Sequence, residues 1–226
     1  MNKMLLFLIL SLILITDSTL SYAGWLMYHK PEFKGKVIDA ETKEPIEGAV
    51  VVVVYKKHSL ISGPGGGYSS VIKVKENLTD KNGEFYFASY STVIQPNSVE
   101  DYAEFIIYKP GYGSYPNYHM TPHGLNAVNK ELFFSKEMGS AGELEMWVKE
   151  EKGPQLKMLK IIFGIVELPK LKTREERLRS IPSLPSELEF LEEQKRLIQL
   201  INEEEVNLGL EKSDPYKARE FILHGK

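Results

Sequence analysis

Short runs of apolar residues, many of them alternating with polar residues, occupy the chain between residues 33 and 149. Residues 49–55 read AVVVVVY, a block too short for a helix that is buried on all sides. Valine is β-branched and restricted at χ1, so this block predicts a strand that is buried on both faces. The same kinds of pattern predict further strands at 34–38, 71–75, 84–87, 105–108 and 144–148.

Glycine, proline and asparagine mark the connections between these strands. Residues 62–67 read SGPGGG and predict a long surface loop, because glycine loses much entropy in regular structure and proline lacks an amide hydrogen. Asn82-Gly83 tolerates the positive φ of a tight turn, which predicts a hairpin that closes on the strand at 84–87. The strands and turns together predict a mainly β fold, a seven-stranded antiparallel β-sandwich.

The last third of the chain has helical periodicity. Thr173 and Glu176 have the spacing of a capping box and predict a helix near 173–180. Ser186 and Glu189 repeat this spacing at the start of a longer helix, predicted over 187–206. Apolar residues recur at helical spacing in the longer helix: Leu188, Leu191, Ile198 and Ile201.

These helices belong to a C-terminal extension, residues 150–226. Asn207 and Gly209 are predicted to end the long helix, and Pro215 predicts the start of a short helix over 215–224. Residues 153–169 fit either a helical stripe or a strand, and both alternatives stay open. The apolar stripe of the long helix must be buried, either on the sandwich or on a partner.

An apolar segment near the N-terminus has the three parts of a secretory signal peptide. Lys3 precedes an apolar run at 4–15, and Ser21 and Ala23 supply small residues before a cut between Ala23 and Gly24. The run has about a dozen residues, short of the ~20 that span a bilayer, so cleavage is favoured over a retained membrane anchor. Residues 1–23 are therefore predicted to be removed, and the mature chain to be extracytoplasmic, in the periplasm or secreted.

Composition and charge restrict the partners and the stabilising chemistry. The formal net charge is −3, without the basic excess that a nucleic-acid-binding surface requires. The chain contains no cysteine, so an exported form has neither disulfides nor a lipid thioether at its cleavage site. Neither a cofactor nor a metal is predicted.

Three ordered groups of residues resemble the carboxypeptidase regulatory-like domain family. They are KGKVID at 34–39 with Thr42, Pro45-Ile46 and GAVVV at 48–52; TD at 79–80 with GEFYF at 83–87; and YKPGY at 108–112. The resemblance covers residues 33–149 and implies a transthyretin-like β-sandwich that serves as an accessory module and has no catalytic residues. The chain departs from the family pattern in the glycine loop at 62–67 and in a long insert at 113–142.

Several residues have spacings that occur in metal or phosphate sites, but their contexts favour structural roles. His119 and His123 have the spacing of two zinc ligands on a helix, yet Pro122 lies between them and no third ligand is near. The glycines at 62–67 lack the following Lys-Ser or Lys-Thr and the helix of a phosphate-binding loop. Residues 80–83 resemble part of a calcium loop but lack its final carboxylate, so the turn is the preferred interpretation.

The sequence shows no set of residues with the pattern needed for nucleophilic or acid–base catalysis. Ser140 lies in Met-Gly-Ser-Ala-Gly, without the strand–elbow–helix context of a hydrolase nucleophile. Glu203 to Glu205 fall on the polar side of a predicted helix, as expected of a solvated charged face. The chain is therefore predicted to be non-enzymatic, and a hydrolase of unrecognised type is the opposing hypothesis.

Tyr112, Tyr115 and Tyr118 recur at every third position among Gly, Pro and Asn, and they are the candidate ligand-binding residues. Exposed tyrosines on loops stack on sugar rings or bind a partner protein. The alternative is that the rings fold back and seal one end of the sandwich.

These observations predict an exported, non-enzymatic β-sandwich protein that acts as a binding or scaffolding module in the cell envelope. Its expected partner is an envelope protein or a polysaccharide. A carbohydrate-binding accessory protein that uses residues 112–118 is the alternative. The predicted organisation is a signal peptide at 1–23, a carboxypeptidase regulatory-like domain at 33–149 and the helical extension at 150–226.

Overall fold

The structure is a computed structural model that describes residues 26–61, 67–116, 130–135, 143–149, 156–162, 164–184 and 190–211. The strands are β1 Met27–Lys30, β2 Phe33–Asp39, β3 Val50–Ser59, β4 Ser69–Leu78, β5 Glu84–Phe87, β6 Tyr90–Val93, β7 Ser98–Glu100, β8 Glu104–Tyr108, β9 Glu143–Lys149, β10 Leu156–Ile162 and β11 Ile165–Leu168. The helices are α1 Lys130–Phe134, α2 Arg174–Ser180 and α3 Lys195–Asn207. The prediction of a mainly β chain with C-terminal helices is confirmed.

Two of the sheets share one hydrophobic core. The first has the strand order β11-β2-β5, and in the second β3 lies at the centre and pairs with β4, β7 and β8. Alternate residues of each strand face the other sheet, since successive side chains of a strand point to opposite faces. The main core side chains are Phe33, Val37, Val51, Val53, Tyr55, Phe85, Phe87, Phe105, Ile107, Val166 and Leu168.

The valine block of β3 is buried on both of its faces, as predicted. Val51 and Val53 belong to the core between the sheets, whereas Val50, Val52 and Val54 pack in a second cluster with Leu197 and Ile201 of α3 and their neighbours. The C-terminal extension therefore docks on the chain's own sheet, which answers the question that the apolar stripe of the helix left open.

A carboxylate from the sheet determines where α3 begins. Glu76 of β4 accepts the backbone N–H of Arg196 at 2.9 Å and that of Leu197 at 3.2 Å. These N–H groups lie in the first turn, where a helix has no internal acceptors and a negative charge is favourable. The long helix predicted over 187–206 is thus observed as a short 3-10 turn at Glu192–Gln194 followed by α3, which ends at Asn207.

Helix α2 has the predicted capping box. The Thr173 side chain accepts the N–H of Glu176, and the Glu176 carboxylate accepts the N–H of Thr173. A buried ion pair then joins α2 to α3: Arg177 donates to both carboxylate oxygens of Glu204, at 2.7 and 2.6 Å. The prediction that Glu203 to Glu205 form a solvated face is wrong for Glu204, whose side chain is 1% exposed.

Helix α1 lies within the long insert at 113–142 and anchors it to the core. Phe133 and Phe134 are buried in the core between the sheets. Glu131 forms an ion pair with the buried Lys30 of β1 at 2.6 Å and accepts the N–H of Ala103. Helix α1 therefore attaches the insert to the rest of the domain through both apolar packing and an ion pair.

Two sequence predictions about strand pairing are wrong. The turn at 79–83 forms, but β4 and β5 lie in different sheets and make no hairpin, because β5 pairs with β2. The strand predicted at 144–148 forms as β9 and pairs, among the described strands, with β10, and the strand added to β2 is β11. The β11–β2 pair is parallel, so the first sheet is mixed rather than antiparallel.

Some predictions concern residues outside the described ranges. These are the signal peptide at 1–23, the capping box at 186–189 and the helix over 215–224. For residues 153–169 the described parts form strands β10 and β11, which favours the strand alternative. Among the helices of the described ranges, none has the length and apolar character needed to cross a membrane.

Candidate functional site

The tyrosine segment is held between the sheets and the C-terminal extension. The N–H of Gly113 donates to the carbonyl of Pro169 at 2.9 Å, and the N–H of Leu171 donates to that of Gly111 at 2.9 Å. The N–H groups of Tyr115 and Ile107 each donate to the other's carbonyl, at 2.9 and 3.2 Å. Backbone pairing on both sides therefore fixes the start of this segment.

Its tyrosine rings contribute mainly to packing. Tyr115 is 4% exposed and contacts Phe134 edge-on, and burial raises the pKa of Tyr115 to about 12. Tyr112 is half-buried against the core, and its hydroxyl is among the groups that lower the pKa of Asp39, after the backbone N–H groups of the following turn. Tyr118 lies outside the described residues. The two described rings are placed as the sealing alternative predicts.

The segments whose spacing is like that of metal or phosphate sites lie partly outside the described residues, as His119, His123 and residues 62–66 do, and Ser140 lies outside them as well. Asp80 is described, and its carboxylate accepts the backbone N–H of Asn82 at 2.8 Å and of Glu84 at 2.9 Å. Asp80 therefore stabilises its own turn. Across the described ranges, no group of three or more His, Cys, Asp or Glu side chains has an arrangement that could hold a metal ion.

A polar cluster that the sequence patterns did not indicate lies where β3, β4 and β7 meet. His58 and Ser69 are partners in the β3–β4 register, and Asp101 follows β7. The Ser69 hydroxyl donates to the Asp101 carboxylate at 2.5 Å, and Nδ1 of His58 lies 3.4 Å from the same hydroxyl. Burial acts to raise the pKa of Asp101, but the hydrogen bonds from Ser69 and the N–H of Tyr102, with the neighbouring cations, lower it overall.

The connectivity of this cluster differs from that of a nucleophilic triad. In a triad, the serine donates to histidine and the histidine donates to the carboxylate. Here Ser69 donates directly to Asp101, and a carboxyl with a lowered pKa is a weak general base. The cluster is therefore a surface hydrogen-bond network whose connectivity is not that of a nucleophilic triad.

A second cluster of the same type lies on the ribbon formed by β1 and β6. His29 and Ser91 are partners in register, and Nδ1 of His29 lies 2.7 Å from the Ser91 hydroxyl oxygen. Glu100 of β7 accepts the backbone N–H of His29 at 3.3 Å, which ties the ribbon to β7. Both clusters flank the same end of the molecule.

Exposed apolar side chains are concentrated at this end. Six of the ten large hydrophobic side chains exposed in the described residues lie here, and we call them the apolar end: Met27, Leu60, Ile61, Tyr68, Val93 and Val99. Backbone hydrogen bonds bring their segments together, since the Leu60 N–H donates to the Asn97 carbonyl at 2.7 Å and the Ile94 N–H donates to the Leu26 carbonyl at 2.8 Å. The N–H of Ser59 donates to the carbonyl of Tyr68 at 3.0 Å.

A cavity of about 790 Å³ lies beside β2 and β5, and Lys34, Lys36 and Tyr86 are among its lining residues. Its volume is within the range of small-molecule sites. Two other lining residues, Ser135 and Gly164, adjoin positions outside the described ranges.

Comparisons with protein-family models, with curated proteins and with solved structures find no match to this chain.

Proposed function

We propose that this chain is an exported, non-enzymatic protein of the cell envelope whose β domain is a binding or scaffolding module. The observation that carries the proposal is the apolar end. The chain covers the outer valines of β3 with its own helix α3, yet leaves Leu60 and Ile61 at 56% and 63% exposed. A group of exposed apolar side chains bordered by polar residues is typical of an interaction surface.

The proposed fold of this module is a transthyretin-like seven-stranded sandwich of the carboxypeptidase regulatory-like type. Seven strands in the two sheets that share a core support this proposal: β2, β3, β4, β5, β7, β8 and β11. The pairing of β11 with β2 supports an end of the domain near residue 168 rather than 149. On this proposal the β9–β10 hairpin is an insertion before the last strand.

The test is an affinity capture from the native host envelope with the full mature chain from Gly24 onward. The full chain is used because a chain truncated after residue 149, the predicted end of the domain, would lack both β11 and the helix that covers the β3 valines. We expect Leu60→Ser/Ile61→Ser to lose the captured component and Val206→Ser/Leu210→Ser, which alters exposed residues near the end of α3, to retain it. Equal capture by both variants contradicts the use of the apolar end.

The alternative of carbohydrate binding through residues 112–118 has less support from the geometry. Tyr115 is buried and Tyr112 is half-buried, so only part of one described ring is offered to a sugar. A polysaccharide array measures this directly. Binding that is lost in Tyr112→Ala supports the alternative, and an array without binding removes it.

A further inference from the structure

The composition and position of the apolar end identify the kind of surface that it contacts. We propose that the apolar end docks on the surface of a lipid bilayer, an inference that rests on the proposed export of the chain. The mature protein is then a peripheral membrane protein that inserts a few side chains at the level of the lipid headgroups.

The most exposed apolar side chains lie at strand ends and turns, where a shallow lipid layer can receive them. Leu60 and Ile61 directly follow β3, and the hydrogen bond from Leu60 to Asn97 holds them beside the turn between β6 and β7. Val93, which is 68% exposed, ends β6 and is paired with Met27 at the start of β1. Aliphatic side chains at turn positions suit insertion into a bilayer interface better than a broad contact with a protein, which buries about 800 Å² per partner.

The first described residue of the chain, Leu26, adjoins this end. The Leu26 carbonyl accepts the N–H of Ile94, which directly follows Val93, and Trp25 directly precedes Leu26 in the sequence. Tryptophan and tyrosine are enriched where proteins meet the headgroup region, and Tyr68 belongs to the apolar end.

The charges near this end determine which lipids it prefers. Lys30 is paired with Glu131 at 2.6 Å, and Lys56 is paired with Glu104 at 2.8 Å. Lys57 has a neutral partner, the Gln95 side chain at 3.1 Å, and one lysine of this kind is too little for attraction to anionic lipids to be the driving force. Binding is therefore expected to depend on apolar insertion and to change little with salt.

The test is co-sedimentation of the full mature chain with vesicles of phosphatidylethanolamine and phosphatidylglycerol in a three-to-one ratio. We expect the unmodified chain to bind with similar affinity at low and high salt. Leu60→Ser/Ile61→Ser should weaken binding by roughly 30-fold, since two side chains about 60% exposed lose their transfer into the apolar layer. Val206→Ser/Leu210→Ser, the matched control near the end of α3, should change binding by less than about twofold.

The opposing outcomes separate this inference from the proposed function. Absence of vesicle binding by the unmodified chain overturns bilayer docking, as does an equal loss in both double variants. If vesicles are not bound but an envelope protein is captured through Leu60 and Ile61, bilayer docking is wrong and the proposed function stands. If the chain binds vesicles but stays uncleaved in the cytoplasm of its host, the proposed function is wrong.

Discussion

The ion pair between Arg177 and Glu204 should contribute strongly to the stability of the C-terminal extension, because it joins α2 to α3. The Glu204 carboxylate is 1% exposed, and both of its oxygens accept hydrogen bonds from Arg177, at 2.7 and 2.6 Å. The pairing raises the pKa of Arg177 above its ordinary value. Removing one partner of a buried pair typically costs 3–5 kcal/mol, because the other charge is left buried and uncompensated.

For Arg177→Met we expect the low end of that range, about 3 kcal/mol of unfolding free energy. The Arg177 side chain is 27% exposed, so water can reach part of the site, and the N–H of Gly111 still donates to Glu204 at 3.3 Å. The double variant Arg177→Met/Glu204→Leu should lie within about 1 kcal/mol of the unmodified chain, since no buried charge remains.

Urea denaturation of the mature chain measures these differences, and Arg179 supplies the matched control. Arg179 lies on the same helix and pairs with Glu175 at 2.5 Å, but both side chains are about 70% exposed. Arg179→Met should therefore cost no more than about 0.5 kcal/mol. If Arg177→Met is no more destabilising than Arg179→Met, or if the double variant is as unstable as the single one, the reasoning is refuted.

Three further predictions concern the turns and the helix cap. Gly83→Ala should destabilise the chain by about 1–3 kcal/mol more than Gly111→Ala in urea unfolding. Both glycines have positive φ, so the backbone strain of the substitution is common to the two variants. A Cβ at Gly83 would clash with the Val37 carbonyl oxygen, whereas a Cβ at Gly111 meets no atom within 4 Å. Glu76→Ala should cost about 1 kcal/mol and lower the helical signal in circular dichroism, since the first N–H groups of α3 lose their acceptor; an unchanged melting curve contradicts this role. Backbone N–H donors in the following turn lower the pKa of Asp39, so its stabilisation is complete above the ordinary value near 3.9 and is lost as the pH falls through the lower folded value. Asp39→Asn should accordingly reduce the loss of stability between about pH 4 and pH 2, and an unchanged acid profile argues against this assignment.

The sequence predicted which segments are strands better than it predicted their partners. Residues 49–55 carry their own signal, because five consecutive β-branched residues fit only a strand with two buried faces. The turn at 79–83 was also predictable from its residues. Those residues do not indicate whether the next strand returns to the same sheet or crosses to the other one. That choice depends on the pairing of β5 with β2, a contact between residues distant in sequence.

The start of α3 and the buried charge within it also depend on contacts between residues distant in sequence. The acceptor for the first N–H groups of α3 is Glu76, 120 residues before Arg196, and no local pattern indicates it. Glu204 was recognisable in principle, since it lies three residues after Ile201 and seven after Leu197, on the same helical face. A carboxylate on an apolar stripe is a signal for a buried partner, although the identity of Arg177 requires the fold.

The candidate site was harder still to predict from the sequence, because the fold brings its residues together. His58, Ser69 and Asp101 come together only through the register of three strands, and the exposed residues of the apolar end come from five separate segments. The tyrosines at 112 and 115 were conspicuous in the sequence, but backbone pairing on both sides of the segment directs them towards the core.

Export of the mature chain is the central claim, and the N-terminus of the protein recovered from its native host tests it most directly. We predict that fractionation followed by mass spectrometry of the intact protein will find it outside the cytoplasm, with a chain that begins at Gly24. A cytoplasmic chain that retains residues 1–23 would contradict the account.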